Sequence, residues 1–111
     1  MTVTVRQAFY RLAVDGRTPE PCTMEEWAAW RSGVGTTQAQ RVDETRLPNG
    51  WHILTIFTGL DQRAGGRVVR DQPCIFVTTA WNSGEAERPR TFASTWDEAQ
   101  RQHDAAVALR R

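Results

Sequence analysis

The chain contains no lysine, so every one of its 14 basic residues is an arginine. Its 13 acidic residues nearly balance them and leave a net charge of +1 over 111 residues. A chain without an excess of positive charge lacks the field with which proteins bind nucleic acid regardless of sequence, so nucleic acid is disfavoured as a partner. The arginines suit local pairing with carboxylate or phosphate instead, because the guanidinium group is planar and always charged.

Cysteine and histidine are also scarce, which excludes further classes of protein. Cys22 and Cys74 are too few for a disulfide framework and are not at metal-ligand spacing. With only two histidines as well, we expect no metal site and no cofactor. No hydrophobic run is long enough to span a membrane, and residues 1–5 contain no secretory segment. We therefore expect a cytoplasmic protein that does not bind membranes and keeps both cysteines as thiols.

The residues that are present predict one packed domain over residues 1–111. Hydrophobic residues make up 40% of the chain and five residues are tryptophan, which is enough for a single core. Alternating or β-rich patterns predict strands at residues 3–14, 41–47, 51–58, 73–81 and 90–93. Apolar residues on both faces of the 51–58 segment indicate a central strand that is covered on both sides.

Two capping boxes predict two helices. Thr23 can exchange side-chain and backbone hydrogen bonds with Glu26, and Thr95 can do the same with Glu98. The first helix should run to about residue 32 and the second past residue 108, whereas residues 15–21 and 61–72 should form loops. These elements predict an α+β fold, an antiparallel sheet of four or five strands with two helices packed on it and the C-terminal helix last.

Short motifs stand along the chain in a characteristic order. They are Asp15-Gly16, Glu25-Glu26-Trp27, Gly59-Leu60-Asp61, Phe76 with Thr78, Phe92 with Thr95-Trp96-Asp97-Glu98-Ala99, and His103. In this order and spacing, over residues 9–107, they resemble a family of small proteins from phages, prophages and bacterial genomes. The resemblance implies a phage or mobile-element setting, in the cytoplasm of a bacterial host, and it implies no activity.

Two departures from the family pattern bear on chemistry. Gln62 stands where the family has histidine after Gly-Leu-Asp, and Val77 stands where it has glutamate between phenylalanine and threonine. Histidine and glutamate would be the obvious general base and acid if the family were enzymes. Their absence from this chain favours a function other than catalysis.

His103 and Asp61 are the candidate catalytic residues. His103 lies in the apolar stripe of the C-terminal helix, where it either titrates near neutrality in a functional role or is half-buried and bonded to a sheet carbonyl. Asp61 follows the strongest strand and either presents a functional carboxylate or anchors the next loop as an Asx turn. A small enzyme that uses both for acid–base chemistry is the alternative function, and it requires them to come within hydrogen-bonding reach.

The residues most typical of a protein interface lie elsewhere. Arginine and tryptophan are enriched at interface hot spots, and Arg63, Arg67 and Arg70 cluster in the predicted loop at residues 61–72. We predict that this cluster, beside Trp51 or Trp81 at a strand end, binds a protein partner. The favoured function is a non-catalytic protein-binding module of a phage or mobile element, for example an inhibitor of a host defence system.

Overall fold

A computed structural model describes residues 9–34, 40–61, 63, 72–83, 85–86 and 90–111. These residues form two sheets and two helices. In chain order the elements are β1 (Phe9–Leu12), β2 (Pro19–Cys22), α1 (Met24–Val34), β3 (Arg41–Arg46), β4 (Trp51–Phe57), β5 (Phe76–Asn82), β6 (Glu85–Ala86), β7 (Thr91–Ala93) and α2 (Trp96–Arg110).

The main sheet is antiparallel and has β4 in its interior, between β3 and β5. The other edge of β5 pairs with β7 at one end and with the short β6 at the other. The β4–β5 register runs from Trp51 opposite Asn82 to Phe57 opposite Phe76. The predicted fold class is therefore confirmed: an α+β chain with a five-stranded antiparallel sheet, two helices, and a helix last.

The two faces of the main sheet differ in their cover. Ile53, Thr55 and Phe57 of β4 are fully buried on one side, which we call the inner face. Leu54 and Ile56 alternate with them and are only half-buried on the other side, which we call the outer face. The predicted central position of β4 is confirmed, and cover is complete on the inner face but only partial on the outer face, where Val77 of β5 is buried beside the half-buried Ile56.

Helix α2 lies on the inner face because its apolar stripe recurs at helical spacing. Ala99, His103 and Val107 are buried along it, one turn apart. Val107 packs with Ile53 in one core cluster, and at the start of the helix the Trp96 ring meets Phe76 edge-on, with 6.2 Å between centroids. The helix thus contacts β3, β4, β5 and β7 from one side.

Capping hydrogen bonds begin both helices where the sequence predicts. At α1, Thr23 Oγ1 accepts the N–H of Glu26 at 3.1 Å, and the Glu26 carboxylate accepts the N–H of Thr23 at 2.9 Å. At α2, Thr95 Oγ1 accepts the N–H of Glu98 at 3.1 Å. The Glu98 carboxylate accepts the N–H of Ser94 at 2.8 Å, so this second box reaches one residue further back than the motif predicts.

The first part of the chain departs from the prediction in forming its own two-stranded sheet. Residues 19–21, expected to belong to a loop because of their prolines, form a strand with Cys22 that pairs with β1 from Cys22 opposite Phe9 to Pro19 opposite Leu12. Proline is tolerated in an edge strand at positions that need not donate to a ladder. Of the predicted first strand, residues 3–8 lie outside the described residues.

Gly59 is the point where the small sheet, α1 and the main sheet meet. Its carbonyl accepts the N–H of Tyr10 at 2.8 Å, and the Trp27 indole donates to the neighbouring Thr58 carbonyl at 3.3 Å. A Cβ at Gly59 would lie 2.5 Å from both the Tyr10 carbonyl oxygen and Trp27 Nε1, and the residue has a φ of +72°. Only glycine meets both conditions here, because it has no Cβ and adopts positive φ readily.

Gly59→Ala should therefore destabilise the fold by more than Gly16→Ala, a matched control. Gly16 has the same φ of +72°, but nothing lies within 4 Å of the Cβ that alanine would add. The control should cost about 1–2 kcal/mol for the left-handed backbone alone, and Gly59→Ala about 1–3 kcal/mol more for overpacking. Urea unfolding of both variants measures the difference, and equal losses would contradict the close approach at Gly59.

Candidate functional site

His103 is held in the core by hydroxyl groups of the sheet. The side chain is 1% exposed, its Nδ1 lies 2.9 Å from Thr55 Oγ1 and its Nε2 lies 2.9 Å from Thr45 Oγ1. Thr55 Oγ1 is in turn 2.6 Å from Thr78 Oγ1. The expected half-buried histidine bonded to a sheet carbonyl is thus wrong in detail, since the ring is fully buried and its partners are side chains on β3 and β4.

The charge around His103 favours one neutral tautomer. Burial lowers the pKa of His103 below its usual value, and the carboxylates of Asp43 and Asp104 oppose that shift only in part. Asp43 Oδ2 is 3.7 Å from Nε2, so the ring proton is favoured on Nε2, where it donates to Thr45. Nδ1 then accepts from Thr55, and the imidazole has no proton or lone pair left for chemistry.

Asp61 anchors a loop, which is the structural alternative that the sequence allowed. Its side chain is 0% exposed and its Oδ2 receives a hydrogen bond from Arg63 Nη2 at 2.8 Å. Its Oδ1 accepts the backbone N–H groups of Arg63 at 3.0 Å and Cys74 at 3.1 Å. Burial raises the pKa of Asp61, but these hydrogen bonds outweigh that effect and bring the pKa below its usual value.

The structure does not bring Asp61 and His103 together as an acid–base pair. Among the described residues, the partners of Asp61 are Arg63 and Cys74, whereas His103 contacts hydroxyls on β3 and β4. Both side chains are buried and both are fully hydrogen-bonded within the fold. Nothing in this geometry favours the enzyme alternative.

Trp51 and Trp81 lie on opposite faces of the main sheet. Trp51 faces inward, where it packs against the cluster of Ile53 and Val107 and carries the Arg110 guanidinium 5.0 Å above its ring. Trp81 pairs across the strands with His52 on the outer face, with 5.2 Å between ring centroids. Both tryptophans are half-buried, but they do not belong to one surface.

The predicted cluster of arginine beside tryptophan is not contiguous in the part that the structure describes. Trp51 opens β4, whereas Arg63 follows the opposite end of that strand, and roughly 20 Å of strand separates the two ends. Arg63 is 22% exposed and bound to the buried Asp61, so it also stabilises the fold. Arg67 and Arg70 lie outside the described residues, and their role in binding stays a prediction.

The outer face is the surface that sequence reasoning missed. It is described by residues on three neighbouring strands: His52, Leu54 and Ile56 of β4, Val77, Thr79 and Trp81 of β5, and Phe92 of β7. The signal was present in the sequence, since Leu54 and Ile56 stand on the face opposite Ile53 and Phe57. That signal predicts cover by a second layer, but helix α2 packs on the inner face and helix α1 contacts β1.

The polar border of the outer face lies on β3. The Glu44 carboxylate accepts hydrogen bonds from Arg41 Nη1 at 2.5 Å and from His52 Nε2 at 2.5 Å. Arg46 Nη2 lies 3.5 Å from Oε2 of the same carboxylate. The hydrogen bond with His52 holds the pKa of Glu44 below its usual value. Glu44 is therefore a charged group already engaged by its neighbours, whereas the Arg46 side chain is 75% exposed.

The described residues offer no cluster of metal ligands and no membrane-spanning helix. Among the described residues, no three His, Cys, Asp or Glu side chains converge to hold a metal ion. No helix in the described ranges is long and apolar enough to cross a membrane. No protein-family model, curated protein or solved structure matches the chain. The resemblance to phage and prophage proteins therefore stays a prediction.

Replacing His103 should change how stability depends on pH. Because its pKa is lowered in the folded chain, the unfolded chain takes up the proton first as pH falls below about 6.5. This histidine should therefore lower stability between pH 7 and pH 5, by at most about 1.4 kcal/mol per pH unit. At pH 8 the histidine is neutral in both states, so His103→Gln should only lose the packing and hydrogen bonds of the ring and be less stable than the wild type. From pH 7 to pH 5 its free energy of unfolding, measured in urea, should change less with pH than that of the wild type. An unchanged slope would contradict the buried neutral imidazole.

Proposed function

We propose that this chain is a non-catalytic protein-binding module that binds its partner with the outer face of the main sheet. The observation that carries the proposal is the apolar and aromatic character of that face. Leu54, Ile56 and Phe92 are half-buried on it, beside the stacked pair of His52 and Trp81. An antiparallel sheet with one face on the core normally presents polar side chains on the other.

Contact between apolar side chains and water is unfavourable, and this favours a binding role for the outer face. Val77 and Thr79 at the centre of the outer face are 7% and 9% exposed, and the apolar residues around them are half-buried. A partly exposed apolar patch rimmed by polar residues is typical of a surface that another molecule covers. Trp81 supplies the kind of large, rigid side chain that serves as an anchor in interfaces. Trp81, which the sequence predicted as a binding residue, remains part of the proposed binding surface. Trp51 does not, because it packs on the inner face and beside Arg110 at the C-terminal end of α2.

The charges at the border of the outer face indicate that a different protein covers this face, and not a second copy of the chain. Glu44, the acidic residue at the border, is shared by Arg41, His52 and Arg46, and the Arg46 side chain is 75% exposed. In a symmetric pair the same patch meets itself, so two copies would bring arginines together without a carboxylate to spare. A partner with an apolar patch bordered by Asp or Glu complements this face.

The resemblance to phage and prophage proteins sets the biological context of the proposal. The partner is then a host or phage protein in the cytoplasm of a bacterium, and the chain acts by covering part of its surface. Inhibition of a host defence protein is one role of this kind. This part of the proposal is supported by the resemblance alone.

Ile56→Glu should abolish the apolar contact while leaving the fold intact. Ile56 is half-buried and lies opposite Arg41 in the register, so the new carboxylate has a neighbouring cation. Val14→Glu is the matched control, because Val14 is a fully exposed aliphatic residue off the outer face. Affinity capture from a bacterial lysate with the wild type and both variants identifies the partner, and calorimetry then measures each Kd. We expect at least a tenfold weaker Kd for Ile56→Glu, about 1.4 kcal/mol, and an unchanged Kd for Val14→Glu.

Two results would contradict this proposal. One is a partner that Ile56→Glu binds as tightly as the wild type does, which would place the contact elsewhere. The other is a dimer of the wild-type chain in sedimentation that Ile56→Glu dissociates, which would make a second copy the occupant of the face.

A further inference from the structure

The turn between β3 and β4 carries a side chain that contacts the end of α2. In this turn the Gly50 N–H donates to the Leu47 carbonyl at 3.1 Å, and Gly50 has a φ of +98°. Asn49 Nδ2 donates to the carbonyl of Arg110, the last residue of the helix, at 2.6 Å. Asn49 Oδ1 accepts the backbone N–H of Trp51 at 3.3 Å. Because a carbonyl only accepts and a backbone N–H only donates, both contacts agree on one orientation of the amide.

Asn49 and Gly50 form a chemically reactive pair. The backbone nitrogen that follows an asparagine can attack the carbon of the side-chain amide, and a side chain on the following residue hinders that attack. Glycine has no side chain, and both residues are exposed to the water that the reaction needs. The turn requires glycine here, since its φ is positive and a Cβ would lie 3.2 Å from Asn82 Oδ1. The reactive pair is therefore a consequence of the turn.

The N–H of Trp51 lies where it can stabilise the intermediate of that attack. Negative charge develops on Asn49 Oδ1 when the Gly50 nitrogen bonds to Cγ, and this oxygen already accepts the Trp51 N–H. A backbone N–H placed at a developing oxyanion lowers the barrier of an acyl transfer. The bond of Gly50 N–H to Leu47 opposes the attack, but at 3.1 Å it is towards the long end of ordinary N–H···O distances.

From these features we propose that Asn49 is a site of spontaneous deamidation and that the reaction releases the end of α2. The Gly50 nitrogen loses its proton to water and forms a bond to Asn49 Cγ. The bond from Cγ to Nδ2 breaks, and Nδ2 takes a proton from water and leaves as ammonia. The resulting succinimide ring adds one water molecule and opens to aspartate or isoaspartate. This site lies on the turn and does not depend on the protein-binding proposal.

The product of the reaction reverses the polarity of the contact with α2. The NH₂ group that donates to the Arg110 carbonyl is replaced by a carboxylate oxygen, which can only accept. The C-terminal end of a helix carries partial negative charge, so a carboxylate beside it is unfavourable. The same last turn holds the Arg110 guanidinium 5.0 Å from the centre of the Trp51 ring. Loosening of this turn therefore also affects the packing of Trp51.

Ageing of the folded wild-type chain at pH 8, followed by peptide mapping with mass spectrometry, tests whether Asn49 reacts. Asn82, the other asparagine of the chain, is the internal control, because it is half-buried in β5 and is followed by Ser83. We expect Asn49 to deamidate about tenfold faster than Asn82, which corresponds to a barrier lower by about 1.4 kcal/mol. Equal rates at the two positions, or an Asn49 that stays intact, would overturn the proposal.

Hydrogen exchange of two variants tests whether the reaction releases the helix. Asn49→Asp is the aspartate product in pure form, and Asn82→Asp makes the same change of charge at a side chain that bonds Ser83. We expect the amides in the last turn of α2 to exchange about fivefold faster in Asn49→Asp than in the wild type, as the loss of one hydrogen bond of about 1 kcal/mol predicts. Exchange in Asn82→Asp should equal that in the wild type.

Unchanged exchange in the last turn of a folded Asn49→Asp chain would overturn the release of the helix. An equal increase in Asn82→Asp would overturn it as well, because the effect would then follow from charge and not from the contact with Arg110. The ageing experiment uses the wild-type chain, so its result stands even if a variant fails to fold.

Discussion

The imidazole of His103 connects helix α2 to three strands of the main sheet through hydrogen bonds. His103 projects from α2 into the core, contacts Thr45 on β3 and Thr55 on β4, and through Thr55 reaches Thr78 on β5. A buried polar network of this kind stabilises only if every member is satisfied, because an unpaired group in the core is costly. These hydrogen bonds, together with the buried apolar residues of its stripe, fix the position of α2 on the inner face.

Most of the short motifs in the sequence have a structural role in the fold. Gly59 admits Trp27 and the Tyr10 carbonyl to close contact, and Asp61 binds Arg63 and Cys74. The capping boxes begin the helices, and His103 joins helix to sheet. These residues therefore have structural roles in the fold. Phe92, another of these motif residues, lies on the outer face that we propose as the binding surface.

The fold was predictable because its signals are local. Hydrophobic periodicity and the capping boxes predicted the helices and the long strands of the main sheet. The strand Pro19–Cys22 was not predicted, because its prolines are typical of a loop. The site was less predictable because it depends on register. Trp51 and Trp81 both stand at strand ends, and only the pairing of His52 with Trp81 shows that they face opposite sides. The partners of His103 lie 48 and 58 residues away in sequence, beyond any local pattern.

The central claim, that the outer face contacts a protein, is tested most directly by site-specific photo-crosslinking. A photoreactive phenylalanine analogue replaces Ile56 on the outer face in one chain and Val14, exposed and remote from that face, in another. Each chain is irradiated with the partner protein, and the products are separated by mass. The account predicts a covalent complex from position 56 and none from position 14. A complex from position 14 with none from position 56 would contradict it.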